Sequence, residues 1–404
     1  MRPDKLTDDR LTIAITYPFA LGTRSGGSTS VFETARELAR LGQEVVLLPV
    51  STANWTSFPR PPIAPELLGK ERQRVLESEG IEVVCVSPHS ITQWLEGRNV
   101  ARALCKLARR RRVDVVLGFH HEASDLPRVA DRFGMRFGMI TIWQSYRMAL
   151  DEGLSRHGAA KGLVKLLNRR IVFRPLRRAE ALFATSEFTR GELVDFVGVD
   201  PQRVKVCYQG VDPIFATIPR ARPSRVERLL FFGRLVPAKG VPDALQALAM
   251  LAESGRRSWS YRIMGEGDAQ PVLEVARRLG IEDRIEILPF QGITSLCREL
   301  EAAHLALMPS HSESFGLSIA EAQAAGLPVV AYRCGSVPEI VEHGVSGWLA
   351  PFGDVDRLGH YLELAMDSPE VSYRAGMAGR QRVGDHFTWA KTAKRILQGL
   401  RELA

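Results

Sequence analysis

The chain has 404 residues, of which 45% are hydrophobic and 25% charged. That is ordinary globular composition and more chain than one core usually serves, so two domains are expected. No apolar run approaches the ~18 residues of a membrane span, and "MRPDKLTDDRLTIAIT" is too acidic at its front for a secretory signal, which makes the cytoplasm the expected location. The cysteines Cys85, Cys105, Cys207, Cys297 and Cys334 show no CxxC spacing and lie mostly among apolar neighbours, so neither a disulfide framework nor a zinc site is expected. A net charge of +8 calls for an anionic partner without choosing among nucleotide, lipid surface and nucleic acid.

In chain order, "LTIAITYPF", "EVVLLPV", "VDVVLGF" and "RFGMITIW" are short apolar runs separated by longer segments of helical period, the first of them "STSVFETARELARLG". Such alternation predicts parallel βαβ units. The glycine-rich "GTRSGGSTS" after the first strand places Gly26 and Gly27 ahead of Ser28 and Thr29. It reads either as a capped loop with those hydroxyls as caps, or as backbone amides open to a ligand. "VDVVLGFHHEASDLP" sets His120, His121 and Glu122 just past a strand end, where an imidazole can exchange a proton near neutral pH or serve only the structure. From Lys161 to Arg178, "KGLVKLLNRRIVFRPLRR" interleaves basic with aliphatic residues and contains no acid. It is either a solvated helix face or a surface for an anionic membrane or acceptor.

"PIFATIPRARPSRVE" has neither period and reads as a linker over residues 213–227. The pattern then restarts with "RLLFFG", "YRIMG", "RIEILPF", "HLALMPS" and "PVVAY". The predicted domains are therefore 1–212 and 228–385, both α/β, followed by an amphipathic closing helix over 386–404. Ligands of open parallel sheets bind beyond the carboxyl ends of the strands, so the site is expected in the cleft between the two domains.

Strand "RLLFFG" leads through "RLVPAKG" into a helix with Pro242 in its first turn, which places Arg234 and Lys239 beside a helix N-terminus. Amides, dipole and two cations suit a phosphate or diphosphate, although two solvated loop cations is an equal reading. The order of residues is not a Walker A loop. "YRIMGEGDAQ" has Gln270 where a dinucleotide fingerprint needs its third glycine, which leaves Gly265 as a tight turn with close backbone approach. "GDVDRL" (Gly353 to Leu358) imitates a metal-binding Asp-x-Asp motif but precedes a helical run, and a helix cap is the better account; no metal site is predicted.

In "PSHSESFGLSIAEAQAAGLPVV", Glu313 stands in a loop after a strand and Glu321 in the early turns of a helix of small apolar residues. An unpaired buried carboxylate costs several kcal/mol, so each needs solvent, a donor or a ligand. A capping box between Ser318 and Glu321 is the competing account, but it requires Phe315, Gly316 and Leu317 to lie outside the helix.

Together, "FFGRLVPAKGVPDAL", "MGEGD" and the segment from Pro309 to Asp354 resemble the C-terminal domain of glycosyltransferase family 4, a retaining GT-B family that uses nucleotide sugars. "TSEFTRGELVDFVGVDPQRVKVCYQGVD" and "GGSTSVFETARELARLGQEVVLL" resemble parts of its N-terminal domain. The resemblance implies two Rossmann-like domains, with Glu313 on the donor sugar hydroxyls, Glu321 on the ribose, and the backbone of Phe315, Gly316, Leu317 and Ser318 against sugar and phosphates. It further implies that Arg234 and Lys239 hold the diphosphate, Gly27 lies beneath it, and His120 or His121 stands near the sugar. Three positions depart from the family pattern: Gln209 for Asn, His304 for Asp, and Trp143 for His.

The expected activity is transfer of a hexose-type sugar, by front-face displacement and without metal or cofactor, from a nucleoside-diphosphate sugar to a small-molecule, glycan or lipid acceptor. Sugar-nucleotide epimerisation and non-catalytic binding to a membrane surface are the rival readings. Nucleic acid is not an expected partner, since aromatic-rich basic motifs are missing.

Overall fold

The computed structural model describes residues 10–18, 25–50, 65–87, 96–142, 172–255 and 258–403. Among these the chain forms two compact units, one comprising the chain up to Gly210 and again from Trp389, the other Val211–Thr388.

The first unit is built on β1 (Thr12–Tyr17), β2 (Glu44–Pro49), β3 (Glu82–Val83), β4 (Val115–Gly118), β5 (Arg136–Thr141), β6 (Ala181–Ala184) and β7 (Val204–Val206). They lie in the order β3-β2-β1-β4-β5-β6-β7, with every pairing parallel. Val115, Val116 and Leu117 in β4 and Val46, Leu47 and Leu48 in β2 are wholly buried. Helices covering both faces of a parallel sheet explain why these strands read as continuous apolar runs and not as alternations.

The second unit contains β8 (Arg228–Phe232), β9 (Ser260–Met264), β10 (Ile285–Leu288), β11 (Leu305–Met308), β12 (Val329–Arg333) and β13 (Gly347–Pro351), ordered β10-β9-β8-β11-β12-β13 and again all parallel. Numbered within the unit this is 3-2-1-4-5-6, the doubly wound order whose direction of winding reverses between its first and fourth strands. In the first unit the same reversal falls between β1 and β4.

The ends of the units differ from the sequence expectation. Residues 213–227 are not a free linker: Phe215, Ile218 and Val226 are buried, and the stretch belongs to the second unit. The helix Trp389–Arg401 returns to the first unit, where Ala393, Ile396, Leu397 and Leu400 join the cluster around Phe183 and Leu38. Residues 386–388 stay with the second unit through Phe387, which packs edge-on against Phe315 at 5.4 Å.

Of the basic segment Lys161 to Arg178, residues 161–171 lie outside the described residues. Residues 172–178 are helical, and Val172, Phe173 and Leu176 turn into the core while Arg174, Arg177 and Arg178 face solvent. Its described aliphatic side chains therefore pack against protein. Arg178 pairs with Asp131, and Arg177 donates to the carbonyl of Val197.

Candidate functional site

In the second unit the loops after β8 and β11 sit side by side because their strands are neighbours at the reversal. They touch through backbone. Gly240 has φ +65°, and a Cβ there would lie 1.9 Å from the carbonyl oxygen of Pro309. The amide of His311 donates to the carbonyl of Ala238 at 2.8 Å. The same closeness brings Lys239 Nζ to 2.6 Å from Glu313 Oε1, with the two side chains only 12% and 7% exposed. The sequence reading sent these groups to different parts of a ligand; the structure pairs them with each other. Arg234 is exposed at the start of the loop and pairs with no carboxylate among the described residues.

A carboxylate behind these loops ties them together. Asp243, in the first turn of the helix Val241–Glu253, lies 3.0 Å from His311 Nε2 and accepts from the Tyr332 hydroxyl at 3.0 Å. The main chain of Glu313 is clamped as well, since its carbonyl accepts from both the amide and the hydroxyl of Ser336. Gly335 makes that approach possible, at φ +50° with a Cβ position 2.3 Å from the same oxygen.

Beyond Glu313 the helix spans Leu317–Ala324, with Gly316 as its N-cap at φ +89° and no side chain capping it. The amides of Leu317 and Ser318 thus stand in the first turn with no side-chain acceptor among the described residues, the arrangement that suits an anion. Phe315 and Gly316 do lie outside the helix, but Ser318 is within it and makes no cap, so the Ser318–Glu321 capping box does not form. At its far end the helix is held by two arginines. Arg220 donates to the Ala325 carbonyl at 2.9 and 3.1 Å and Arg380 to the same oxygen at 2.8 Å. Neither was singled out in the sequence, because an arginine whose partners are backbone carbonyls leaves no pattern in side-chain spacing.

Glu321 is partly accessible, and no side chain among the described residues donates to it. Burial pushes its carboxyl up to about 8, with the negative charge of Asp212 adding to the effect. It is a largely buried carboxyl that no side chain among the described residues contacts as a donor, and a ligand hydroxyl is the partner such a group lacks.

Gly265 proves to be a glycine for a reason internal to the chain. A Cβ there would meet the carbonyl oxygen of Gly233 at 1.9 Å, so the close approach inferred from the sequence is to the loop after β8. Asp354 caps the helix Val355–Asp367 by accepting from the amide of Arg357 at 2.8 Å, which accounts for the Asp-x-Asp imitation. Among the family departures, His304 uses Nδ1 to accept from the amides of Glu227 and Arg228, as a carboxylate would. Burial, with Arg228 and Arg220 nearby, pushes its pKa down to about 4 and keeps it a neutral acceptor. Trp143 lies outside the described residues.

In the first unit, the helix Gly26–Arg40 begins earlier than expected. Ser25, not Ser28 or Thr29, is the N-cap, accepting from the amide of Ser28 at 3.1 Å. Gly26 and Gly27 form the first turn, and a Cβ on Gly27 would lie 2.7 Å from Ile142 Cδ1. After β4, His120 and His121 meet edge to face at 4.7 Å with their Nδ1 atoms in contact. Burial beside His121 holds the pKa of His120 well below its ordinary value. The turn is anchored by Glu122, wholly buried, whose Oε1 accepts from Thr16 Oγ1 at 3.1 Å and from the amides of Phe119 and His120 at 2.8 and 3.2 Å. Its Oε2 has no hydrogen-bond partner among the described residues, and burial pushes the carboxyl up.

Two family models match, "Glycosyltransferase Family 4" over residues 24–215 and "Glycosyl transferases group 1" over residues 218–382. Among curated proteins, a D-inositol 3-phosphate glycosyltransferase of Segniliparus rotundus is 34% identical over 239 residues, 55% of this chain and 52% of that protein. One of the same name from Thermobispora bispora is 33% identical over 238 residues, 54% of this chain and 55% of that protein. The chain thus spans about half the length of the curated relatives it matches. Among solved structures, sucrose-phosphate synthase of Thermosynechococcus elongatus superposes with TM-score 0.76 at 17% identity, covering 97% of this chain and 99% of that one. Anabaena HepE in complex with UDP and glucose gives 0.72 at 18% identity, covering 97% and 100%. The doubly wound order of each sheet, these neighbours and the two matched models agree: the chain has the GT-B fold of two Rossmann-like domains and belongs to glycosyltransferase family 4.

Proposed function

We propose that the protein is a retaining glycosyltransferase that moves a hexose-type sugar from a nucleoside-diphosphate sugar to an acceptor hydroxyl. The observation that carries this reading is Glu321, a largely buried carboxyl with no side-chain donor among the described residues, on a helix that Gly316 leaves without a side-chain cap and that follows the Lys239–Glu313 pair. A ribose diol would supply the hydroxyls that Glu321 lacks. The diphosphate would take the amides of Leu317 and Ser318 together with Arg234 and Lys239, and the sugar hydroxyls would take Glu313. In this assignment the charge that grows on the departing diphosphate meets two cations and a helix N-terminus, a type of stabilisation worth roughly 3 kcal/mol per well-placed group. Turnover is accordingly proposed to need no metal, and to persist in the presence of a chelator. The histidine turn of the first unit is assigned a part in turnover and not in nucleotide affinity.

The names of the relatives and of the HepE structure guide the choice of substrates. A UDP-sugar is the first donor to test and a phosphorylated inositol the first acceptor. A thermal-shift panel of UDP-, GDP- and ADP-sugars identifies the base, since a ligand at a hundred times its Kd stabilises by about 2.7 kcal/mol. Proton NMR of the product then reads the anomeric configuration. An inverted anomer rejects the retaining assignment, and an isomerised sugar from donor alone points to an epimerase instead.

A further inference from the structure

We propose that His120 is a positioning residue for His121: the two imidazoles form a dyad in which Nδ1 of His120 accepts from Nδ1 of His121, which fixes the tautomer of His121 and makes its Nε2 the atom that meets the ligand. This deepens the part in turnover assigned above to the histidine turn, and it rests on that reading.

The dyad begins in the main chain. β4 ends at Gly118, and the turn after it is held by Glu122, whose Oε1 accepts from the amides of Phe119 and His120 and from the hydroxyl of Thr16 on β1. The carbonyl of His120 accepts from the amide of Ala123 at 3.1 Å. Both polar groups of the His120 backbone are thus engaged, and the two rings start from a main chain with little freedom to reorient. They meet edge to face, at an interplanar angle of 84° and with 2.5 Å between their Nδ1 atoms.

Two imidazole nitrogens so close cannot both present a lone pair or both a hydrogen, so one donates and the other accepts. The surrounding charges decide which. Burial, with His121 beside it, keeps His120 neutral. Burial pushes the carboxyl of Glu122 up, and the charge of His121 opposes that rise, so His121 is the imidazole whose charge the turn can favour. When the pair takes an extra proton, both nitrogens of His121 carry hydrogen, and Nδ1–H points at a lone pair on Nδ1 of His120. His120 then carries its own hydrogen on Nε2. Release of the proton from Nε2 of His121 leaves every other hydrogen in place. Release from Nδ1 would set two lone pairs against each other until His120 also changed tautomer. One arrangement therefore serves both protonation states.

An imidazole without such a partner divides between two tautomers, of which only one gives a chosen nitrogen the hydrogen or lone pair that a ligand needs. An acceptor at Nδ1 removes that choice, as a carboxylate does in a catalytic triad. A neutral acceptor differs in adding no negative charge, which matters in a reaction whose donor is proposed to carry an anionic diphosphate.

The tautomers are read by long-range proton–nitrogen NMR of the full chain, with isotopically labelled histidine and no substrate, at about pH 8 where unperturbed imidazoles are neutral. His121 is expected with its hydrogen on Nδ1 and His120 with its hydrogen on Nε2, each signal assigned by its loss in His121→Ala and His120→Asn. Turnover supplies the second readout. His120→Phe and His120→Leu remove the acceptor and are expected to lower kcat by about ten-fold or more, with KM for the donor sugar within about two-fold of wild type. His120→Asn, whose Oδ1 can take the place of Nδ1, is expected to keep about a third of the rate or more. Melting temperatures verify that the variants compared are folded. His121 found with its hydrogen on Nε2 overturns the proposal, as does full turnover in a folded His120→Phe or His120→Leu protein, or a His120→Asn protein as slow as those two. Because the spectrum is recorded without substrate, a chain that transfers no sugar overturns the functional reading alone, and a reversed tautomer overturns the dyad alone.

Discussion

Lys239 and Glu313 form a nearly dry ion pair, 2.6 Å between Nζ and Oε1, from loops 74 residues apart in the chain. Removing one partner of a buried pair strands the other charge, whereas removing both is often tolerated. Lys239→Met and Glu313→Gln should each destabilise the protein by about 2–4 kcal/mol, and the double variant by less than the sum of the two. Urea denaturation of the four proteins measures the coupling; additive losses would mean that the pair contributes nothing as a pair.

That pairing could not be read from the chain, and the reason is general. Strand and helix periodicity are local, so the alternation from "LTIAITYPF" to "PVVAY" makes both sheets legible, and with them the loops beyond the strands where Arg234, Lys239 and Glu313 lie and the helix that carries Glu321. Contacts between loops depend on strand order, which no local pattern states. Backbone partners are equally silent, so nothing in the sequence marks Arg220 and Arg380. The helix start at Gly26 is hidden for a different reason: glycine is tolerated in a first turn, so nothing in the sequence favours Ser25 over Ser28 or Thr29 as the cap. Phe215 and Ile218 were hidden by the prolines around them, because a segment without periodicity still buries side chains.

Glu321 makes stability depend on pH. Its folded pKa of about 8 lies above the ordinary value of 4.5, so the native state holds a proton that the unfolded chain releases between those values. Stability from this group is complete below about pH 4.5 and is lost as pH rises towards 8, at up to about 1.4 kcal/mol per pH unit. Glu321→Gln should flatten that slope and be the more stable protein at pH 8.5. Denaturant midpoints at pH 5.5, 7 and 8.5 for both proteins decide it; parallel curves would place the carboxyl in water.

Glu122 should tolerate an amide and not a truncation. Glutamine keeps an oxygen for the Thr16 hydroxyl and the amides of Phe119 and His120, and its nitrogen replaces an oxygen that has no partner. Glu122→Gln is therefore expected within about 1 kcal/mol of wild type, and Glu122→Ala to lose about 2–4 kcal/mol through unsatisfied donors and a cavity. Thermal unfolding of the two variants compares them directly. If the histidine turn serves turnover as proposed, the surviving Gln variant should keep its rate, while His121→Ala loses rate with nucleotide affinity unchanged.

Ligand binding should separate the two glutamates by what each releases when removed. Glu321→Ala is expected to weaken nucleoside monophosphate, diphosphate and donor sugar alike, since all three carry the ribose it is assigned. Glu313→Ala frees Lys239 from its ion pair, so the free diphosphate should bind more tightly, by up to about ten-fold, while turnover falls because the sugar has lost its anchor. Lys239→Ala and Arg234→Ala should weaken the diphosphate and leave the monophosphate nearly unaffected, because the second phosphate is the group they are assigned. Calorimetry with the three ligands against the four variants tests these assignments together. A Glu313→Ala protein that binds diphosphate more weakly than wild type would show that Lys239 depends on Glu313 to be held in place. The ion pair would then position the lysine for phosphate, and the charge of Glu313 would serve Lys239 as much as the sugar.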